Sequence, residues 1–177
     1  MSAPKTPRWV WYGLTTVLVV MIVLATVMVG SYRFWKSNQQ VQQRAAAKAV
    51  EALGGKGQLA YSSLPLGFYL ESGDAPNVFL LNSKGVTDDD LVIFESAPTT
   101  RGLHLFDNQI TDEGLRHLSN LSELDFLDLR RNNITDAGLV HLEQHYKLKQ
   151  LILIGTQVTP AGVSKLQKKL PHAKIAH

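Results

Sequence analysis

Apolar residues recur along the C-terminal part of the chain with a fixed period of 24. The stretches VTDDDL, ITDEGL, ITDAGL and VTPAGV begin at residues 86, 110, 134 and 158. Before such a stretch, alternating apolar residues such as Leu103 and Leu105 predict a β-strand with one face inward. The threonine and the aspartate or proline after it predict a helix start, and Leu115 and Leu118 share one face of that helix. Each unit therefore predicts a strand, a turn, a helix and a return.

One such unit cannot bury its own apolar residues, whereas stacked units join their leucines into one core and their strands into a parallel sheet. We therefore predict an α/β solenoid over residues 78–177, with parallel strands on its concave face and short helices on its convex face. A truncated last strand is expected at Ile175–His177, which follows Leu151 by 24 residues. Asn108 and Asn132 should bond backbone groups exposed where the strand turns, and Thr156 should do so in part.

A different pattern occupies the N-terminal part of the chain. Residues 9–32, WVWYGLTTVLVVMIVLATVMVGSY, contain no charged side chain. A helix of this length covers about 36 Å, enough to cross a hydrocarbon core of about 30 Å, and aromatic and basic residues flank both of its ends. We predict a transmembrane helix at 9–32 after a short basic tail at 1–8. The alternative is a cleaved signal peptide, whose apolar core is shorter, about 7 to 15 residues.

The expected location is thus a membrane, crossed once. Basic residues precede the span (Lys5 and Arg8) and also follow it (Arg33 and Lys36). Because cytoplasmic flanks carry the excess of positive charge, this arrangement leaves open the side on which the repeats lie.

Two segments connect the predicted span to the repeats. Residues 33–55 are rich in helix formers and end in Gly54 and Gly55, which predicts a juxtamembrane helix that stops there. Its weakly apolar face, Val41, Ala45, Ala49 and Leu53, is expected to pack against the next domain. Residues 56–77 have no sustained period and are interpreted as a linker and N-terminal cap, which a solenoid needs to cover its first unit.

Charge divides between the two parts of the chain. Residues 1–55 hold six basic and one acidic residue, whereas residues 56–177 hold twelve and fourteen, so the net charge of +3 comes from the N-terminal part. Basic residues beside a span normally contact anionic lipid headgroups. We therefore expect contacts with membrane lipid and no nucleic-acid surface. The chain has no cysteine, which excludes disulfides and a lipidated cysteine.

The stretch LDFLDLRRNNITDAGLVHL, which starts at Leu124, resembles the leucine-rich repeat in the variant with short α-helices on its convex side. The layout as a whole resembles bacterial membrane-anchored leucine-rich repeat proteins, in which one span and a helix ending like AVEALGG precede TDxGL repeats. Departures are Asp90 for glycine, Pro160 for aspartate, and Lys84 and Thr156 for asparagine. The resemblance implies binding of another protein by the concave sheet.

Side chains between the buried leucines of the strands should project from the concave face, where aromatic residues and arginine dominate binding energy in protein interfaces. The alternative is that strands simply favour aromatic and branched residues. The predicted protein-binding residues are His104, Phe106, Phe126, Asp128, Arg130, Gln150, Ile152 and Ile154.

Catalytic and metal-binding signals are weak. His141 and His145 lie four apart, as two helical metal ligands would, but neither HExxH nor HxxEH is present, and we expect both on the solvated convex side. Asp88–Asp90 lack the spacing of a calcium loop. No nucleophile, phosphate-binding or dinucleotide-binding motif occurs. We predict no enzyme activity, no cofactor and no metal site.

The sequence therefore favours a membrane-anchored module that binds a partner protein. One alternative is a structural envelope protein that self-assembles through its repeats, for instance by contact between the acidic first repeat and the lysine-rich last one. Solvated, unpaired repeat ends are the simpler interpretation of these charges. A metal-dependent hydrolase is a remote alternative.

Overall fold

The computed structural model describes residues 8–58 and 77–177; of residues 8–20, 22, 57 and 58 it describes only the backbone. It divides the chain into two compact units with a boundary between Asn38 and Gln39. Helix α1 runs over Arg8–Ala52. The predicted tail, apart from Arg8, and the predicted linker between residues 59 and 76 lie outside the described residues.

No helix within the part of the chain that the structure describes is both long and apolar enough to cross a membrane. More than half of the predicted span at 9–32 has side chains outside the described residues, namely 9–20 and 22. The transmembrane helix therefore stays a prediction from the sequence.

A six-stranded sheet forms the C-terminal unit. Its strands follow chain order: β1 (Lys56–Gln58), β2 (Val78–Leu80), β3 (Gly102–His104), β4 (Phe126–Asp128), β5 (Gln150–Ile152) and β6 (Lys174–Ala176). Strand β1 is antiparallel to β2, and all other neighbours are parallel. The parallel pairs keep a register of one repeat, as in the row Phe79, Leu103, Leu127, Leu151 and Ile175. The predicted parallel sheet with accompanying helices is confirmed.

The inward-facing side chains of the strands and helices form one apolar core. Leu103, Leu127, Leu115 and Leu118 have no solvent exposure, and the partly buried Ile175 packs against the same core at its last strand. Burial of a leucine side chain contributes about 2 kcal/mol. The stacked core is the main source of stability for units that could not fold singly.

Most of the helical segments are 3₁₀ rather than the predicted α-helices. The 3₁₀ helices are Asp88–Ser96, Arg116–Leu118 and Gly138–Leu142; the α-helices of this unit are α2 (Asp112–Leu115) and α3 (Pro160–Lys169). A 3₁₀ helix rises about 2.0 Å per residue against 1.5 Å for an α-helix. Fewer residues then cross the back of the sheet, which suits a turn of fixed length. Prediction of short helices was right, and prediction of their α type was right only in part.

The C-terminal turns of α1 pack against the first repeat. Ala46 and Val50 are buried there, and so is Gln43, whose side-chain amide donates to the Thr100 hydroxyl at 3.2 Å and accepts from the Thr99 hydroxyl at 2.9 Å. The predicted face of Val41, Ala45, Ala49 and Leu53 is wrong in phase, since Val41 is 60% exposed. Hydropathy missed the true face because a hydrogen-bonded glutamine lies at its centre.

Asparagine side chains join successive turns, as expected from the sequence. The Asn108 amide oxygen accepts from the Val86 backbone N–H at 3.1 Å, and its nitrogen donates to the Leu81 carbonyl at 2.8 Å. Asn132 makes equivalent bonds one repeat later. The Thr156 hydroxyl donates to the carbonyl of its own repeat, at Leu153. Threonine therefore replaces only part of the asparagine's bonding.

A second ladder joins the helix starts and was not predicted. The Asp112 carboxylate accepts from the Thr135 backbone N–H at 2.8 Å and from the Thr135 hydroxyl at 2.5 Å. The same two bonds join Asp88 to Thr111 and Asp136 to Thr159. We call these three contacts the Asp–Thr ladder. Each aspartate thus bonds the next repeat, in addition to lying at its own helix start.

The hydroxyl and backbone bonds from Thr159 hold the pKa of Asp136 below its ordinary value of 3.8. Because the carboxylate accepts both bonds, its ionised form is the one that favours the folded state. The contribution of Asp136 to stability is therefore complete at neutral pH and is lost as the pH falls through this lowered pKa.

Glycine follows from the same contact. A Cβ added at Gly114, Gly138 or Gly162 would overlap a carboxylate oxygen of Asp88, Asp112 or Asp136, respectively. The TDxGL motif therefore describes one interaction between repeats: threonine donates, aspartate accepts, and glycine leaves space for the aspartate of the preceding repeat.

Both departures from this motif occur at the ends of the ladder. The Asp90 position has no preceding aspartate to accommodate, and the Asp90 side chain instead accepts from the Thr87 backbone N–H at 2.9 Å in a capping box. Pro160 replaces the aspartate in the last copy of the motif, where no later copy supplies a threonine. It suits the first turn of α3.

Replacement of Gly138 by alanine should lower the free energy of unfolding by about 2 kcal/mol, because the Asp112 carboxylate must give up its bonds to Thr135 or be compressed. Chemical denaturation measures this loss. In an Asp112→Ala background the same replacement should cost less than about 0.5 kcal/mol, because the obstructing carboxylate is gone. Equal costs in the two backgrounds would show that the glycine has another role.

Candidate functional site: the concave face

Three rows of outward side chains cross the sheet between the buried leucines. We call the face they form the concave face. The registers place Phe126 beside Gln150, and His104, Asp128 and Ile152 in line. Backbone bonds from Asp107 N–H to the Arg130 carbonyl and from Arg131 N–H to the Ile154 carbonyl extend the ladder beyond the named strands. These bonds bring Phe106, Arg130 and Ile154 into the third row.

Seven of the eight predicted residues are accessible in whole or in part. Gln150 and Ile154 are exposed, Ile154 by 51%, and His104, Phe106, Phe126, Arg130 and Ile152 are half-buried. Asp128 is the exception, with 1% exposure. The expectation that Asp128 offers its side chain to a partner is therefore not met in this structure.

Asp128 is buried because Arg130 covers it. Its carboxylate accepts from the Arg130 Nε at 2.9 Å and from the Arg130 Nη2 at 2.6 Å, and it also accepts from the Arg130 backbone N–H. Paired hydrogen bonds to a carboxylate hold a guanidinium plane in one orientation. Asp128 therefore positions Arg130 rather than forming part of the accessible surface.

The oriented guanidinium lies on an aromatic ring. The Arg130 Cζ is 4.9 Å from the centre of the Phe106 ring, and the Arg131 Cζ is 5.3 Å from the same ring. Such cation–π contacts contribute about 0.5–1 kcal/mol at exposed sites. Arg131 was missed from the sequence because strand alternation assigns it to the opposite side of the chain.

A left-handed turn accounts for the position of Arg131. Its φ is 53°, and the residues one repeat before and after it, Asp107 and Gly155, have φ of 59° and 77°. This region is unfavourable for most side chains, and glycine at 155 suits it. The recurrence at a spacing of 24 residues was the available signal, because each repeat must turn at the same place.

A second aromatic contact lies at the other side of the face. The ring centres of His104 and Phe126 are 4.5 Å apart with planes inclined by 30°. Burial lowers the pKa of His104 below its ordinary value of 6.5; the charge of Asp128 opposes this shift and that of Arg130 adds to it. His104 is accordingly neutral at pH 7 and presents a largely apolar ring.

The concave face combines preorganised aromatic and arginine side chains with exposed aliphatic ones. Arginine and aromatic residues held in place lose little side-chain entropy when a partner binds. The carboxylate of Asp128 is already bonded to Arg130, so within the described residues of this face it is not poised as a general base. The arrangement is suited to contact with another protein surface.

The alternative histidine site differs from its prediction. His141 lies in the 3₁₀ helix Gly138–Leu142, and His145 lies beyond its end. His145 is 2% exposed, with its Nε2 3.0 Å from the Leu118 carbonyl oxygen and its Nδ1 3.3 Å from that of Leu142. The expected solvated position of His145 is wrong, because the helix ends before reaching it and the chain turns inward. Across residues 8–58 and 77–177, no metal-binding group of three such side chains forms.

The family comparison agrees with this geometry. The family model described as Leucine Rich repeat matches residues 101–119 and 117–142. The stacked units are leucine-rich repeats. These matches fall on the turns that carry Asn108, Asn132 and the central contact of the Asp–Thr ladder.

Other comparisons are less informative. No curated protein sequence matches the chain. Among solved structures, a leucine-rich repeat protein of Leptospira interrogans is similar at 23% identity and a TM-score of 0.37, over 49% of this chain and 27% of that one. This chain thus spans about a quarter of that structure's length. At so low a TM-score, we draw no conclusion from the likeness.

The two charges beside His104 should move its pKa in opposite directions. An NMR titration of the His104 ring should give a pKa below 6.5 in the unaltered protein. Asp128→Asn should lower it further, because a favourable negative charge is lost, whereas Arg130→Met should raise it. Shifts of the same sign in both variants, or an unperturbed pKa without either substitution, would contradict this account of the site.

Proposed function

We propose that this protein is a membrane-anchored interaction module, which binds a partner protein through the concave face of its leucine-rich repeats. The observation that carries the proposal is the preorganised group of Phe106, Arg130 and Arg131 on an open sheet face. Ile152 and Ile154 lie beside it on the adjacent repeat and add apolar surface.

The physical basis is the low cost of ordering this group on binding. Arg130 is held by Asp128 before any partner arrives, so little of its rotamer freedom remains to be lost. Interface energies concentrate in such arginine and aromatic residues, surrounded by contacts that exclude water. Ile154 is placed to supply one of those surrounding contacts.

The membrane part of the proposal rests on the sequence. Residues 9–32 carry no charge, and basic and aromatic residues lie at both ends. The basic flanks are proposed to contact anionic lipid headgroups. An anchor of this kind would hold the repeats at a membrane surface and restrict the search for a partner to proteins found there.

A photo-crosslinking side chain at Ile154 should capture a partner protein in cells, because this position is exposed on the concave face. Val140 offers a matched control: it is also a branched aliphatic residue, 53% exposed against 51% for Ile154, but it lies on a convex-side helix. Gel shift and mass spectrometry of the adducts should give one foreign protein at residue 154 and none at residue 140.

The identity of the adduct separates the two main candidate functions. Arg130→Ala in the same crosslinking chain should weaken a genuine concave-face adduct about tenfold, as expected for an interface hot spot. Adducts formed only with a second copy of the chain would favour the self-assembling envelope protein instead. Equal adducts at residues 140 and 154 would count against concave-face binding.

Membrane anchoring predicts resistance to alkaline extraction. The unaltered chain should stay with the membrane pellet, whereas Val20→Arg with Leu24→Arg should release it, because each central arginine costs about 2.5–3.5 kcal/mol in the membrane. Val41→Arg with Ala45→Arg adds equal charge at exposed positions outside the predicted span. Release of the unaltered chain, or release by both double variants alike, would refute the anchor.

A further inference from the structure

A second surface lies at the edge of the sheet where the strands begin, away from the concave face. Tyr146 stands out there with 76% exposure, the highest among the exposed large apolar side chains of the C-terminal unit within the described residues. It is shared by two adjoining clefts of about 440 and 270 Å³, which also have Leu148 and His172 in common. We call this surface the Tyr146 edge.

Charged side chains line these clefts in a stacked pattern. Arg101, Asp125 and Lys149 lie one repeat apart, and the Asp125 carboxylate is 2.5 Å from the Arg101 guanidinium and 3.7 Å from the Lys149 ammonium. Glu123 and Lys147 form a second pair at 2.7 Å. The 24-residue period thus places opposite charges next to each other at this edge.

Positive charge exceeds negative charge on the Tyr146 edge. Its clefts are lined by four cationic side chains (Arg101, Lys147, Lys149 and Lys169) against two carboxylates (Glu123 and Asp125). Both carboxylates are already paired with cations of the same surface. Lys149 is still 75% exposed and Lys147 59% exposed, so their ammonium groups remain accessible to a further anion.

We propose that the Tyr146 edge binds an acidic segment of a partner protein. Tyrosine is among the residues that contribute most to protein interfaces, and clefts on its two sides can receive apolar side chains of the segment. Carboxylates of the segment would meet the surplus cations. This site is separate from the concave face, and it stands whether or not the concave face binds a protein.

The arrangement of charge favours a protein segment over a lipid surface. Anionic headgroups form an unpatterned negative layer, which attracts clusters of cations without interruption. Glu123 and Asp125 lie within the Tyr146 edge and would be repelled by such a layer. A peptide can place its carboxylates opposite the lysines and avoid these two positions, which is the usual way that complementary charges give specificity.

The test selects random phage-displayed peptides on the full chain in neutral detergent and measures the affinity of the selected peptides by titration. Selected peptides should be acidic with at least one large apolar residue, and their affinity should fall when salt is raised. Tyr146→Ala and the double variant Lys147→Ala with Lys149→Ala should each weaken binding on the order of tenfold. Circular dichroism verifies that each variant is folded.

A matched control removes equal charge elsewhere. Lys165→Ala with Lys168→Ala, on the exposed side of α3 and outside the two clefts, should change affinity by less than about twofold. The proposal is overturned if no acidic peptide is selected, or if the selected peptides bind the Tyr146 variant unchanged. Binding to phosphatidylserine vesicles that depends on the lysines but not on Tyr146 would overturn it in favour of a lipid surface.

Discussion

The contact between the aspartate of one repeat and the threonine of the next is the constraint on which the repeat region depends. Each carboxylate closes two hydrogen bonds to the following turn, and it fits only because a glycine lies opposite. Together with the asparagine bonds at the other end of the strands, this contact fixes the rise from repeat to repeat. An inserted or deleted residue would displace both sets of partners, which accounts for the uninterrupted spacing of 24 residues.

Register at this level makes a surface out of short strands. Each strand has only three residues, and alone would hold no defined array of side chains. Stacked in register, they bring Phe106 beside Arg130 and His104 beside Phe126, which are distant in the chain. The same stacking produces the alternating charges of the Tyr146 edge. Both proposed binding surfaces therefore follow from the repeat geometry.

Much of the repeat fold could be predicted because its determinants are local and periodic. Alternation identified Leu103 and Leu105 as inward residues, and threonine identified the helix starts. Departures from prediction arise where non-local contacts decide. Asp128 is buried by the conformation of Arg130, and Gln43 by two threonines that lie far along the chain. Neither residue differs in kind from solvated neighbours, so hydropathy could not distinguish them.

The candidate site shows the same limit. Seven of its eight residues have accessible side chains, as strand alternation indicates, but Arg131 joins them only because a left-handed turn redirects the chain. His145 was misplaced because a four-residue spacing was assigned to an α-helix, whereas the 3₁₀ helix there ends at Leu142. Helix type depends on the distance that the segment must cross, which the local sequence does not encode.

Native-state hydrogen exchange of the full chain would test most directly whether the Asp–Thr ladder holds the repeats together. The backbone amides of Thr111, Thr135 and Thr159 lie at partly or wholly exposed turns. Since each donates to a carboxylate of the preceding repeat, the account predicts that they exchange as slowly as the strand amides of Leu105 and Leu129. Exchange at the rate of unprotected turn amides would contradict it.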